Sequence, residues 1–215
     1  MGAPLRKFIG QLHVSLLAYW ASLVGALYLY SELAGEVHER EGFFFDAPIL
    51  SWFANHQTSQ VVGTAQLLST LLGPPVLIFL TICTAVLLGA KHLKDSLFMV
   101  LSLGGAMLLN VLFKLFFARI RPDQAEQLSP APGFSFPSGH AMGTTAFFLA
   151  LYLLVRRLSP RQQWWAASIG LLFTLLVSLS RLVLQVHYPS DILAGWALSV
   201  AWVLGVNLWY ARTSR

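Results

Sequence analysis

The sequence predicts an all-α, polytopic membrane protein with six transmembrane helices and a short interfacial helix between the first and second. Three observations carry this. Hydrophobic residues make up 56% of the 215 residues and charged residues only 11%, whereas a soluble domain is about 45–50% apolar and about 25% charged. Mean hydropathy is +0.66, more than one water-soluble core accounts for. The apolar residues also fall in long stretches, and about 20 of them wound as a helix cross the hydrocarbon layer. The same composition excludes other classes. Aromatics at 13% with few charges argue against disorder, and the lone cysteine, Cys83, argues against a disulfide scaffold.

The first span covers residues 13–31 and is too long and poorly flanked for a cleaved signal peptide. Glu32, Glu36, Glu39, Glu41 and Asp46 follow, with an apolar run over 47–53 that is too short to span and reads as an interfacial amphipathic helix beside Phe43, Phe44 and Phe45. The second span, 61–89, contains Gly73-Pro74-Pro75, which must break or kink it. The others lie at 96–117, 141–155, 164–184 and 191–210. Each must be helical, because lipid cannot satisfy open backbone groups. We see no second domain: residues 1–215 read as one integral-membrane unit.

Six spans sort the charges. Arg6, Lys7, Lys91, Lys94, Arg156, Arg157, Arg161, Arg212 and Arg215 fall on one side, 9 of the 14 basic residues, with Asp95 as the sole acid. Arg40, Lys114, Arg119, Arg121 and Arg181 fall on the other side with eight of the 9 acids. Basic loops stay cytoplasmic, so both termini are expected in the cytoplasm and the connections after spans one, three and five outside.

Charged residues at or in apolar spans are costly, which makes them functional candidates. Three clusters stand out, all at outer span ends. Lys114 and Arg121 are seven residues apart at the end of the third span, so a continued helix sets them on one face, where two cations clamp a dianion such as a phosphate monoester. Pro122 is expected to stop that helix. Their plain structural reading is snorkelling to the headgroups, and Arg119, off that face, is assigned to it. Pro137-Ser138-Gly139-His140 opens the fourth span. Ser138 suits an N-cap, Gly139 allows close backbone approach, the helix start attracts an anion, and His140 suits a general acid; the plain reading is an ordinary cap. Arg181, His187 and Asp191 bridge the fifth and sixth spans, with Pro189 in the first turn of the last helix. A carboxylate four residues from an imidazole can orient it, which makes His187 a candidate nucleophile. The plain reading is a loop histidine and an acid complementing the helix dipole. A metal pair is disfavoured by three nearby basic residues and the lack of a thiolate or third carboxylate.

Two histidines, an aspartate and three cations suit metal-free phosphoryl transfer, which works by positioning and electrostatics. Taken together, Lys114-x6-Arg121-Pro122, Pro137-Ser138-Gly139-His140 and Ser180-Arg181-x5-His187-x3-Asp191 resemble the three-part signature of the type 2 phosphatidic acid phosphatase superfamily, in its membrane branch. The signature spans residues 114–191. The resemblance implies that His187 attacks phosphorus to form a phosphohistidine supported by Asp191, that His140 protonates the leaving group, and that Lys114, Arg121, Ser138, Gly139 and Arg181 hold the phosphate oxygens. It implies no metal and no cofactor. The expected substrate is a lipid phosphate or pyrophosphate of the undecaprenyl pyrophosphate, phosphatidylglycerol phosphate or phosphatidic acid type, hydrolysed at the outer face of a bacterial inner membrane. No nucleic-acid partner is expected. Two competitors are a phosphotransferase of the same superfamily and a transporter; the gathering of charge at one membrane face disfavours the transporter.

Of the remaining residues, Gly104-Gly105 is assigned to helix packing, and Trp164, Trp165, Trp209 and Tyr210 to interface anchoring. Tyr188 is left between pocket and belt. His13, His38, His56, His92, Asp123 and Glu126 are assigned to solvated or interfacial positions, and Cys83 to a buried apolar one.

Overall fold

The structure, a computed structural model, describes residues 3–89, 92–122, 127–155 and 159–213. Lys91, Asp123, Glu126, Arg156, Arg157 and Arg215 lie outside the described residues, as do the side chains of Arg6, Lys7 and His13. The described residues form eight helices: α1 (Ala3–His38), α2 (Asp46–Asn55), α3 (Ser59–Leu71), α4 (Pro74–Leu88), α5 (Leu93–Phe117), α6 (Gly139–Val155), α7 (Pro160–Val183) and α8 (Pro189–Thr213).

The boundaries follow local chemistry. Thr58 caps α3 by accepting the Val61 N–H at 3.3 Å. Gly73 then interrupts the second span, and Pro74 restarts it at a first-turn position where its missing N–H is no loss. Ser159 and Gln162 close a capping box ahead of Pro160 in α7. Pro189 opens α8.

Helix α5 corrects one expectation. It ends at Phe117, well before Pro122, because Ala118 turns into the left-handed region (φ 46°) while its N–H still bonds the Lys114 carbonyl at 3.0 Å. Lys114 and Arg121 therefore do not share a helical face.

Among the described residues, five stretches are long and apolar enough to cross a membrane: Leu16–His38, Ser59–Leu88, Leu93–Phe117, Pro160–Val183 and Pro189–Arg212. The remaining apolar helix, Gly139–Val155, has 17 residues. The protein is an integral membrane protein built on these helices. Its outward surface is apolar, with Phe79, Leu87, Leu115 and Phe116 all exposed, the reverse of a molecule that buries such groups from water.

Helix α6 is the core. It packs against α4, α5, α7 and α8, and Ala141, Met142, Thr144, Ala146 and Ala150 are fully buried. Small residues there let neighbouring backbones come close, the dominant attraction where lipid removes the hydrophobic drive between helices. Only one of the two adjacent glycines in α5 serves packing: a Cβ on Gly105 would lie 2.1 Å from the Trp202 ring, whereas one on Gly104 meets open space. Tyr210 is more than an anchor, since its hydroxyl donates to Asp95. His56 lies over Trp52 with ring centroids 4.4 Å apart, and His38 stacks on Phe116 at 5.9 Å.

Candidate active site

Four helix ends meet at the site: the C-terminal ends of α5 and α7 and the N-terminal ends of α6 and α8. The break between α3 and α4 adds a fifth element.

Helix α7 closes with a Schellman motif. The Gln185 N–H bonds the Leu182 carbonyl at 3.0 Å and the Val186 N–H bonds the Arg181 carbonyl at 3.2 Å, with Gln185 in the left-handed region (φ 55°). A non-glycine residue there is anchored by its own side chain: Nε2 of Gln185 donates to the carbonyls of Leu182 (2.8 Å) and Leu50 (3.2 Å). The reversal turns His187 inward, where it is only 2% exposed.

Nδ1 of His187 lies 3.2 Å from Oδ2 of Asp191, which also accepts the Tyr188 N–H at 3.0 Å. Asp191 is fully buried in the first turn of α8. Nε2 of His187 faces the other way, 3.2 Å from Nη1 of Arg121. Burial, then the positive charges of Lys114, Arg121 and Arg181, hold the imidazole well below its ordinary pKa of 6.5. It is therefore neutral, and a proton held on Nδ1 by Asp191 leaves the Nε2 lone pair toward the cations.

Lys114 and Arg121 reach this pocket by a chain reversal. Residues 132–135 return beside 119–121, with the Ser135 N–H donating to the Arg119 carbonyl at 2.9 Å. Lys114 donates to the Phe134 carbonyl and lies 3.4 Å from that of Ser135. Arg121 donates to the carbonyls of Gly133 (3.0 Å) and Val186 (2.6 Å).

Arg119 is not snorkelling. Its guanidinium bonds Asp191 Oδ1 at 2.6 Å and Asp46 Oδ2 at 2.9 Å, and the Tyr188 ring covers it at 4.2 Å. That contact also settles Tyr188 as part of the site. Burial works against the charge on Arg119, but Asp191 and Asp46 outweigh it and raise its pKa. Sequence reasoning missed both Arg119 and Asp46. The available signal was an acid directly before the short apolar run and an arginine inside the Lys114–Arg121 spacing.

Ser138 is fully buried. Its N–H bonds the Asp191 carbonyl at 3.0 Å and its carbonyl accepts the Met142 N–H at 2.9 Å, while its hydroxyl is 3.5 Å from the Ala141 N–H. It stands where the sequence placed a cap. A Cβ on Gly139 would come 2.9 Å from Oδ1 of Asn110 and would displace that amide, which donates to the Pro137 carbonyl at 3.0 Å. Asn110, buried in α5, is a second support that the sequence did not reveal.

His140 and Arg181 meet at Ser69. Nε2 of His140 is 3.2 Å from the Ser69 hydroxyl and 3.1 Å from its carbonyl, and Arg181 donates to the same hydroxyl. The break at Gly73 allows this, since a Cβ there would sit 2.7 Å from the Ser69 carbonyl and 3.3 Å from His140. Arg181 is buried, and its Nε has no partner among the described residues. All eight residues singled out from the sequence thus lie at these meeting helix ends and their connections. Beside them, a cavity of about 380 Å³ opens between α2 and the chain at Pro122, Gln185 and Tyr188.

A sequence model described as the PAP2 superfamily matches residues 95–215. The phosphatidylglycerophosphatase B of Bacillus subtilis (strain 168) is 35% identical over 109 residues, 49% of this chain and 53% of that protein. The undecaprenyl-diphosphatase of Sulfolobus acidocaldarius is 34% identical over 126 residues, 56% of this chain and 57% of that protein. A lipid A 1-phosphatase of Rhizobium etli is 35% identical over 114 residues, 49% of this chain and 46% of that protein. The chain spans about half the length of these curated relatives. The crystal structure of a transmembrane PAP2-type phosphatidylglycerolphosphate phosphatase from Bacillus subtilis superposes with TM-score 0.80 at 24% identity, over 91% of this chain and 98% of that one. Aquifex aeolicus LpxE superposes with TM-score 0.64 at 19% identity, over 77% and 96%. At these identities both likenesses concern the fold.

Proposed function

The chain belongs to the PAP2 superfamily, and from that premise we propose that it is a membrane lipid phosphatase acting through a phosphohistidine on His187. The observation that carries this reading is the two-sided setting of that imidazole: Nδ1 faces a buried carboxylate at 3.2 Å and Nε2 faces a guanidinium at 3.2 Å.

Lys114, Arg121 and Arg181, with the start of α6 at Ser138 and Gly139, hold the phosphate oxygens. Donors that now bond backbone carbonyls turn to the substrate, while Arg181, held at Ser69, offers its unpartnered Nε. Nε2 of His187 attacks phosphorus, the phosphorus–oxygen bond to the lipid breaks, and His140 gives its proton to the leaving oxygen. The neutral His140 then takes a proton from water, whose oxygen attacks the phosphohistidine. Phosphate leaves and His187 is restored. No step calls for a metal: Lys114, Arg121 and Arg181 supply the positive charge for the phosphate, and the two buried carboxylates described here are already engaged, Asp191 by His187 and Arg119, Asp46 by Arg119 and Ser190.

We place six spans in the membrane, with α2 lying at the outer interface and α6 as the short span. Both termini are then cytoplasmic and the site faces outward from a bacterial inner membrane. This suits a lipid whose phosphate or pyrophosphate head projects from the leaflet, of the undecaprenyl pyrophosphate, phosphatidylglycerol phosphate or phosphatidic acid type.

The test is release of orthophosphate by the purified protein in detergent, with EDTA present, across a panel of these lipids. We expect release from at least one, with catalytic efficiency naming the preferred head. An absolute need for added divalent metal would refute the mechanism. Replacing water by an acceptor alcohol separates transfer from hydrolysis, since a new phosphoester would mark a phosphotransferase.

Ser69 offers a narrower test. One hydrogen bond to a charged group contributes about 1.5–3 kcal/mol, so Ser69→Ala is expected to lower kcat/KM by roughly 10–100-fold through loss of the anchor shared by Arg181 and His140. An unchanged kcat/KM would remove Ser69 from the working site.

A further inference from the structure

We infer that Asp46 and Arg119 are a positioning pair that holds Asp191, and through it the reacting face of His187. The inference builds on the phosphatase reading above and adds two residues to it. One of them, Asp46, lies outside the matched segment 95–215.

The geometry is closed. Nη1 of Arg119 donates to Asp191 Oδ1 at 2.6 Å and to the Ser190 hydroxyl at 2.8 Å, and Nη2 donates to Asp46 Oδ2 at 2.9 Å. Asp46 also accepts the Ser190 N–H at 2.9 Å and the Ser190 hydroxyl at 2.6 Å. Asp46 is 5% exposed, and Ser190 and Asp191 are fully buried. Aromatic rings lie over the guanidinium, Tyr188 at 4.2 Å and Phe43 at 5.8 Å.

Charge explains why both members are needed. Four cations crowd these helix ends: Lys114, Arg119, Arg121 and Arg181. Arg119 alone stands between two carboxylates, so it is turned away from the phosphate and the other three remain to bind it. Asp191 Oδ1 faces Arg119, while Oδ2 serves His187 and the Tyr188 N–H. With each oxygen held from a different side, the carboxylate cannot rotate, and the proton of His187 stays on Nδ1. Asp46 fixes the far end of the guanidinium and ties the first turn of α8 to α2.

The test compares Arg119→Gln, Arg119→Lys and Asp46→Asn in the full chain in detergent. It reads kcat and KM on a lipid phosphate, inhibition by inorganic phosphate, and thermal unfolding. Residues that orient the ligating groups of metal sites typically cost about 10–100-fold in activity when lost; Arg119 orients Asp191 in the same indirect way, so Arg119→Gln is expected to lower kcat by that factor. KM and the inhibition constant for inorganic phosphate should change by less than about threefold, because uniform binding is untouched. Arg119→Lys should recover part of the loss, and Asp46→Asn should fall between Arg119→Gln and the parent.

A parent-like kcat in Arg119→Gln overturns the inference. So does a loss of inorganic phosphate binding in proportion to kcat, which would make Arg119 a phosphate ligand. If Arg119→Gln does not fold, Asp46→Asn decides, and a parent-like kcat there overturns the pair. An inactive parent, or an active His187→Ala, would instead sink the phosphatase reading itself.

Discussion

Replacing His187 by alanine is expected to reduce phosphate release from lipid substrates by roughly 10⁴-fold or more, the scale on which loss of a catalytic nucleophile acts. No other described imidazole has a carboxylate behind it and a cation in front. His140 faces Ser69, His56 lies over Trp52, His38 stacks on Phe116, and His92, beside Asp95 at 3.6 Å, is 59% exposed rather than buried. Burial first, then Lys114, Arg121 and Arg181, depress the pKa of His187. As pH falls from 7 through 6.5, an ordinary histidine becomes protonated and loses its lone pair, while His187 in the free enzyme keeps it. Quenching turnover in base should trap phosphorus on the parent protein, where a phosphohistidine survives, and none on His187→Ala. Activity within tenfold of the parent, or an unchanged phosphoenzyme, would exclude His187 as the nucleophile.

Asp191→Asn is expected to cost about 10⁴-fold in kcat, as a buried aspartate-to-asparagine change beside a reacting imidazole does elsewhere. Two sets of donors need acceptors here: Arg119 at Oδ1, and His187 with the Tyr188 N–H at Oδ2. An amide supplies one acceptor and one donor. If its oxygen faces Arg119, its NH₂ faces Nδ1, and the imidazole proton moves to Nε2, the atom proposed to attack phosphorus. If its oxygen faces His187, the NH₂ points into the guanidinium. Because the three cations proposed to bind phosphate are untouched, inhibition by inorganic phosphate should change far less than kcat. Equal losses in both would place Asp191 in phosphate binding, and a kcat near the parent value would deny it any role in orienting His187.

Much of the site was legible because its residues are bound to local grammar. His187 and Asp191 are separated by one turn, with Pro189 between them to start the helix, so their pairing hardly depends on the rest of the fold. Ser138 and Gly139 open α6 as expected, although the reason for Gly139, the approach of Asn110, comes from another helix. The break at Gly73-Pro74-Pro75 was equally plain. Its consequence was not, since nothing near Ser69 in the chain announces that His140 and Arg181 converge on it. The reasoning that placed Lys114 and Arg121 on one helical face failed because it assumed that α5 continues. The left-handed turn at Ala118 ends it, and the returning segment 132–135 brings the two cations to the pocket instead.

Composition and spacing alone determined the membrane setting and gathered the polar groups at corresponding helix ends. In lipid each span must close its own backbone hydrogen bonds, which apolar runs of about 20 residues do as helices, and successive spans alternate direction along the chain. Tertiary structure alone decided how the charges pair. Of two arginines two residues apart, Arg119 turns to the carboxylates and Arg121 to the imidazole of His187. That division depends on Asp46, which approaches from α2, and charge–charge energies follow distances in space, which separation along the chain does not specify.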